Sequence, residues 1–516
     1  MRDENRTTAQ VQLEPGSPSR PELEPRPQET LDPADWEELR ALAHRMVDDV
    51  IDYHRGVGAR PAWQPMPDAV RGALGDPLPD VGQGAERAYV DFREQVLPYP
   101  FGNIHPRSWG WVNGTGTTLG ALAEMLAASM NPNLWGGGHA AAYVEAQVLA
   151  WARRIIGFPD EASGVLTSGA SMANLIGLAA AREARGGDDV SGRGLHALPE
   201  PLVVYGSEQT HNSVDKAASL LGIGWAGFRK IPTDSEFRID VEALEAAIAA
   251  DRAAGRRPIC VVGNAGTVNT GAIDDLARLA DLCEREGLWF HVDGAIGALA
   301  ALSPALRTQM RGIERADSVA FDLHKWLHVP IEAGCVLVRH AEWHRRPFSP
   351  PASYLSWFER GLASGPHNYM NLGPQLTRGF RALKVWMVLK AHGTETYTRL
   401  IEQNVRQARH LEARIREHPR LELLAPVSLN IVAFRYRVEG SAGGASELDA
   451  LNRELLMRLQ ESGEAVPSGT VVRGVFALRV ALTNHRTRTE DLDRLIDAVV
   501  RTGDALVEEA RVEAGA

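Results

Sequence analysis

From Val165 to about Val338, short apolar runs alternate with stretches whose apolar residues recur at helical spacing. Val165-Leu166, Val203-Val-Tyr205, Ile259-Cys-Val-Val262, Leu288-Trp-Phe-His-Val292, Val319-Ala-Phe321 and Cys335-Val-Leu-Val338 read as buried strands. Helical patterns lie between them, one starting near Asp240 and one near Asp274 that stops at Gly287. Repeated strand–helix units predict an α/β fold with a largely parallel sheet, helices on both faces, and ligands at the carboxyl ends of the strands.

The flanks have a different texture. Met1 to about Thr30 is polar and proline-dense, a composition that cannot offset chain entropy by burial and predicts a disordered tail. Asp32-Pro-Ala-Asp35 then offers an N-cap with proline at the first helical position. Trp36, Leu39, Ala43, Met46, Val47, Val50 and Ile51 follow at helical spacing, and this stripe has to pack on something. The proline-rich link from Arg60 to Pro79 predicts an extended crossing. Leu119 to Phe158 reads as helix broken at Trp135-Gly-Gly-Gly138, and Pro347 to Pro374 as a loop long enough to be a lid or disorder. A long helical region starts at Phe380. A strand at Asn430-Ile-Val-Ala-Phe434, a helix from Leu448 to Leu459 and a strand at Phe476-Ala-Leu-Arg-Val480 then predict a small α/β domain. The expected division is a tail (1–30), an N-terminal helical segment (31–110), a large domain (111–395) and a small C-terminal domain (396–516).

Composition narrows the class. A 516-residue chain with 44% hydrophobic and 23% charged residues has the make-up of a soluble globular protein of two or three domains. Its net charge of -11 gives no basic footprint for nucleic acid or an anionic membrane. No apolar run is long enough to span a bilayer, and the amino terminus lacks an apolar secretion core. Cys260, Cys283 and Cys335 sit inside apolar segments without a CxxC pair and read as reduced core residues, so a cytoplasmic location is expected.

Candidate chemistry is concentrated at the predicted strand ends. Ser318-Val-Ala-Phe-Asp-Leu-His-Lys-Trp-Leu-His328 takes a buried strand straight into Asp322, His324 and Lys325. A lysine amine attacks carbonyls when partly neutral, and Trp326, Leu327 and His324 supply an apolar and cationic setting for that, so a Schiff base with an aldehyde cofactor is expected. Thr167-Ser-Gly-Ala-Ser-Met-Ala-Asn-Leu175 follows a strand and opens an alanine-rich helix, where small residues let backbone amides approach a phosphate. Asp293 closes a fully apolar strand, where an unpaired carboxylate is costly, and a cationic ring nitrogen would satisfy it. Gly114-Thr-Gly-Thr-Thr-Leu-Gly120 lacks the GxGxxG spacing of a dinucleotide site. His324 and His328 lie four apart without a third ligand beside them, so no metal is expected.

Together these motifs resemble the pyridoxal-phosphate-dependent group II amino-acid decarboxylases, the family of aromatic-amino-acid, histidine and glutamate decarboxylases, over nearly everything after residue 30. The resemblance implies a fold-type-I enzyme with a mostly parallel seven-stranded sheet, an N-terminal segment wrapped around a partner subunit, and a homodimer. It implies that Gly169, Ala170 and Ser171 hold the phosphate of pyridoxal 5'-phosphate, His211 stacks on its ring, and Thr267 contacts cofactor or substrate. Asp293 would pair with the ring nitrogen, His324 would lie near the phosphate, and Lys325 would form the Schiff base. Tyr369, in Asn368-Tyr-Met-Asn371, would protonate the carbon that loses CO2, and His105, Trp109 and Trp111 would line the substrate entrance. Three positions depart from the family: Met172 stands for a usual glutamate, Ala142-Tyr-Val-Glu145 for an acidic Thr-Glu-Leu-Glu element, and Asp322-Leu323 for asparagine-proline. The last leaves a contact between Asp322 and the phosphate open.

The expected reaction is decarboxylation of an L-amino acid, favoured to be aromatic, to a primary amine and CO2. The alternatives are another fold-type-I lyase or a decarboxylation-dependent aldehyde synthase. A cofactor-sensing regulator on the same scaffold would need a basic helix-turn-helix, which the acidic, proline-rich amino terminus does not offer.

Overall fold

The computed structural model describes residues 28–187, 190–350, 358–438 and 445–515. Nearly all of the expected disordered tail therefore lies outside the described residues. Two compact units are distinguished, one ending at Asp49 and one running from Val50 onward. A helix spans Trp36–Gly56. Its cap is Asp35, not Asp32: the Asp35 Oδ1 accepts the amides of Glu37 at 2.8 Å and Glu38 at 3.1 Å, satisfying two orphan donors of the first turn. Trp36, Val50 and Ile51 of the apolar stripe are exposed.

The second unit is organised around a seven-stranded sheet: β1 (Ser163–Thr167), β2 (Leu202–Ser207), β3 (Phe228–Ile231), β4 (Arg257–Asn264), β5 (Trp289–Asp293), β6 (Ser318–Asp322) and β7 (Gly334–Val338), in the order β1-β7-β6-β5-β4-β2-β3. The five strands β3, β2, β4, β5 and β6 pair in parallel, and β7 runs antiparallel between β6 and β1. Strands β5, β6 and β7 are buried at every position, as continuous apolar runs in a doubly covered sheet should be. The sequence pattern missed β3 because two of its four residues, Arg229 and Lys230, are charged, which suits the edge strand it is. The helices expected near Asp240 and Asp274 are Val241–Ala253 and Leu276–Glu286, capped by the side chains of Asp240 and Asp275.

A four-stranded antiparallel sheet, β10 (Ser468–Val472), β11 (Val475–Ala481), β9 (Ile431–Tyr436) and β8 (Leu421–Leu423), builds the carboxyl-terminal part. Helices Ala445–Glu461 and Thr489–Gly515 are sequence-adjacent to it, and the preceding Arg381–Glu417 helix carries a non-helical residue at Gly393. Two loop expectations need correction. The Arg60–Pro79 link is not simply extended, because Asp68–Ala73 turns into a short helix. Residues 358–374 of the long loop are hydrogen-bonded to the glycine-rich break: Gly138 N to Leu362 O, Gly137 N to His367 O and Met370 N to Trp135 O. Residues 351–357 lie outside the described residues. No helix among the described residues is long and apolar enough to cross a membrane. All three cysteines are free and buried.

Burial carries a pH consequence. Desolvation pushes the imidazoles of His105, His291 and His344 down to about 4, from the ordinary 6.5. The unfolded chain therefore binds more protons than the folded one between those values, and stability falls as pH is lowered through that window. Each site contributes a slope of at most about 1.4 kcal/mol per pH unit. Urea unfolding at successive pH values is expected to show the midpoint constant above pH 7 and falling steadily from pH 6.5 toward 4.

Candidate active site

The site forms where β1 and β6 end and β7 begins. Gly334, the first residue of β7, pairs with both Asp322 and Thr167, and a Cβ on it would lie 2.5 Å from the Gly169 Cα. That close approach brings the turn after β1 against the end of β6. Gly114 fits the same corner from the other side, since a Cβ there would overlap the His324 carbonyl. Glycine is required at both positions because backbone, not a movable side chain, fills the space.

Around this corner a cavity of about 250 Å³ is lined by Gly169, Ala170, Ser171, His211, Thr267, Asp293, His324 and Lys325, together with Trp111, Asn113 and Asp322. Lys325 Nζ lies 3.0 Å from Asp322 Oδ2. Of its expected neighbours, Trp326 and Leu327 are buried, the Trp326 indole donating to Asn404 Oδ1 at 3.1 Å. His324 is anchored through Nδ1, which accepts the Ala333 amide at 3.1 Å; desolvation lowers its pKa, with Asp322 pulling the other way.

Asp293 closes β5 and both its oxygens are held by fixed donors. Oδ1 accepts the Ala295 amide at 3.1 Å and Oδ2 accepts Asn174 Nδ2 at 2.9 Å. The same Asn174 amide donates to Ser213 Oγ at 2.9 Å, and Ser213 Oγ lies 2.8 Å from His211 Nδ1. Behind it, Trp289 Nε1 donates to Ser318 Oγ, which faces His291 Nδ1; His291 Nε2 then donates to Asn174 Oδ1, each step 2.8–2.9 Å. This chain fixes which way the Asn174 amide points, and so presents its NH₂ to Asp293 and Ser213. His211 is solvent-accessible as a residue, yet its ring faces the cavity wall: desolvation lowers its pKa, opposed chiefly by the Asp293 charge. Thr267 is buried, its hydroxyl 3.0 Å from that of Thr270 and accepting the Ala272 amide.

Not every expected residue belongs here. Trp111 does, half-exposed at the cavity, with its amide donating to Ser468 Oγ at 3.3 Å and its ring 5.3 Å from Phe101. Trp109 is 1% exposed and packs in the core of the carboxyl-terminal sheet, its indole donating to Thr487 Oγ1. His105 is likewise buried: Nε2 is 3.1 Å from the Arg60 carbonyl, and Nδ1 accepts the Arg107 amide. Neither lines the Lys325 cavity. Tyr369 is also elsewhere. Its phenol donates to the Ala142 carbonyl at 2.9 Å, its ring lies under the Arg378 guanidinium, and it lines a separate cavity with Arg153, His367 and Leu372. The one hydroxyl proton is thus engaged, and burial pushes the phenol's pKa up. Within one chain, Tyr369 lies outside the Lys325 cavity.

Asn174 and Ser213 were missed from sequence, as was Arg479, a buried cation lowered to about 10 by desolvation that donates to the Val268 carbonyl on the cavity wall. The signal available was an asparagine inside the Ala170–Arg185 helix among Ala173, Ile176 and Gly177, a buried polar group that needs partners.

The donor set fits pyridoxal phosphate. One cavity holds a helix amino terminus with small residues for a phosphate, a lysine amine for an aldehyde, and a buried carboxylate beside an imidazole for an aromatic ring nitrogen. Fold and site together define a fold-type-I pyridoxal-phosphate enzyme. Comparison with known proteins fixes the family. Residues 71–437 match the model of the pyridoxal-dependent decarboxylase conserved domain. The chain is 34% identical over 479 residues to an aromatic-L-amino-acid decarboxylase of Bacillus atrophaeus, covering 92% of this chain and 97% of the relative. It is 30% identical over 463 residues to a phenylacetaldehyde synthase of Arabidopsis thaliana, covering 88% and 93%. The crystal structure of Oryza sativa TDC with PLP and tryptamine superposes with a TM-score of 0.84 at 27% identity, over 92% of this chain and all of that one. The chain belongs to the pyridoxal-dependent decarboxylase family and is a PLP-dependent amino-acid decarboxylase.

Proposed function

We propose that the chain decarboxylates an aromatic L-amino acid to its primary amine, and does so as a cytoplasmic homodimer. The observation that carries the assignment of roles is that Lys325, Asp293, His211, Thr267, His324 and the Gly169–Ser171 turn line one cavity. Bound pyridoxal phosphate supplies an electron-accepting ring for the pair left when the Cα–carboxylate bond breaks. Lys325 Nζ is the amine that would hold the cofactor's aldehyde. The helix amino terminus at Ala170 and Ser171 anchors the phosphate, with His324 beside it. Asp293, held in place by Asn174, keeps a proton on the ring nitrogen. His211, oriented by Ser213, covers one face of the ring, and Thr267 closes the wall.

Aromatic selectivity is supported by Trp111, which lines the cavity. Trp111 and Val112 both adopt positive φ, 58° and 54°, a conformation uncommon for such side chains and one held where the surrounding structure imposes it. The Bacillus relative's name points the same way. Dimer formation is supported by the exposed apolar residues Trp36, Ile51, Leu78 and Val81, which a partner surface would cover.

A second reading, aldehyde formation, is raised by the similarity to phenylacetaldehyde synthase. One assay separates the two. With twenty amino acids supplied singly, CO2 and amine are expected from tryptophan, tyrosine or phenylalanine, without stoichiometric ammonia or hydrogen peroxide. Ammonia and peroxide in step with CO2 would assign the second reading, and CO2 from acidic or basic substrates alone would overturn the aromatic one.

A further inference from the structure

An anionic side chain of the chain itself stands where the cofactor's phosphate is read to bind. Asp322 closes β6 and is 3% exposed. Its Oδ1 accepts the amide of Ala170, the first residue of the Ala170–Arg185 helix, at 2.7 Å. Its Oδ2 pairs with Lys325 Nζ at 3.0 Å and lies 3.7 Å from His324 Nε2. Gly169 adjoins it: a Cβ there would be in ordinary van der Waals contact, 3.6 Å, with both Asp322 Oδ1 and His324 Cε1. One carboxylate thus engages two positive features at once, the helix amino terminus and the lysine amine.

We propose that Asp322 is an internal competitor for the cofactor's phosphate, holding the Ala170 amide and the Lys325 ammonium until the cofactor displaces it from one of them. The inference rests on the reading that the phosphate sits at Gly169–Ser171. A phosphate monoester carries close to two negative charges at neutral pH. Two anions beside one helix terminus in a largely enclosed corner repel each other more strongly than they would in water. An asparagine in this place would still accept the Ala170 amide through its side-chain oxygen and would carry no charge. The chain's choice of aspartate therefore weakens cofactor retention, and makes the fraction of loaded enzyme follow the supply of cofactor.

The test is a binding titration of cofactor-free protein, read by tryptophan fluorescence and by absorbance, with pyridoxal phosphate and separately with pyridoxal, which lacks the phosphate. Asp322→Asn and Asp322→Ser, both checked for folding by thermal unfolding, are expected to tighten pyridoxal phosphate by about tenfold or more. Pyridoxal, which gains only from the released Lys325 amine and has no phosphate to be repelled, should tighten by clearly less than pyridoxal phosphate. A folded variant that binds pyridoxal phosphate equally or more weakly overturns the proposal, as does equal tightening of both ligands. Ser171→Asp separates this from failure of the underlying reading. If the phosphate sits at the helix terminus, that variant weakens pyridoxal phosphate and spares pyridoxal, whatever Asp322 does. If it affects both or neither, the phosphate is elsewhere and the competitor has nothing to compete with.

Discussion

Lys325→Ala is expected to abolish turnover, lowering kcat/KM by about 10³-fold or more, and to remove the visible absorbance that a covalently held pyridoxal cofactor gives the protein. The side chain is 18% exposed just after β6 and lines the cavity with Asp293, His211, Thr267 and His324. Truncation leaves a hole in an existing cavity, so the loss is chemical more than structural. What it does leave is Asp322 without its cation, and a buried carboxylate deprived of its partner costs stability. Lys325→Arg separates the two effects, because the guanidinium can pair with Asp322 but cannot condense with an aldehyde. Both variants should be inactive and should retain no covalently attached cofactor after borohydride reduction, while only the alanine variant should unfold earlier. Activity and absorbance surviving in either variant would remove the assignment of Lys325 as the carrier.

Much of this was legible in the sequence because chemistry here sits at the ends of apolar runs. Asp293 and Lys325 each follow a strand whose every residue is buried, so a polar group at that point had to be capped, paired or used. What failed to show depends on contacts far apart in the chain. Asn174 reaches Asp293 and His291 across more than a hundred positions, and in sequence it is one polar residue in an alanine-rich helix. Trp109 and Trp111 carried one expectation, lining the substrate entrance, because both fall in a single motif read by resemblance. The backbone turns to positive φ at Trp111 and Val112, which sends one indole to the cavity and leaves the other in the core. Tyr369 sits in a motif read by resemblance, and its hydrogen bond to the Ala142 carbonyl, outside the Lys325 cavity of the same chain, could not be seen from spacing. Asp322 was the departure whose meaning stayed open. Its contact with the Ala170 amide ties it to the phosphate end of the cavity.

Asp293→Asn is expected to retain cofactor while losing about 10²- to 10³-fold in kcat, the size of effect seen when a preorganised electrostatic partner is removed. In the proposed role the carboxylate would hold a proton on the ring nitrogen, and with it the positive charge that makes the ring accept electrons. A neutral amide donates or accepts there but does not stabilise that charge. The substitution also has a structural cost that can be read from its partners. Both Asp293 oxygens accept from fixed donors, Ala295 N and Asn174 Nδ2, so an amide NH₂ faces a donor in either orientation. Melting temperature should therefore fall as well, and activity loss alone would not identify the electrostatic role. Asp293→Ala supplies the discriminating measurement, since it opens space beside the ring nitrogen. Reconstituted with N-methyl pyridoxal phosphate, whose ring nitrogen is permanently cationic, it should recover at least about tenfold in kcat over the same variant with the natural cofactor. A purely structural Asp293 would show no such recovery. Full activity of Asp293→Asn with the natural cofactor would remove the carboxylate from the reaction altogether.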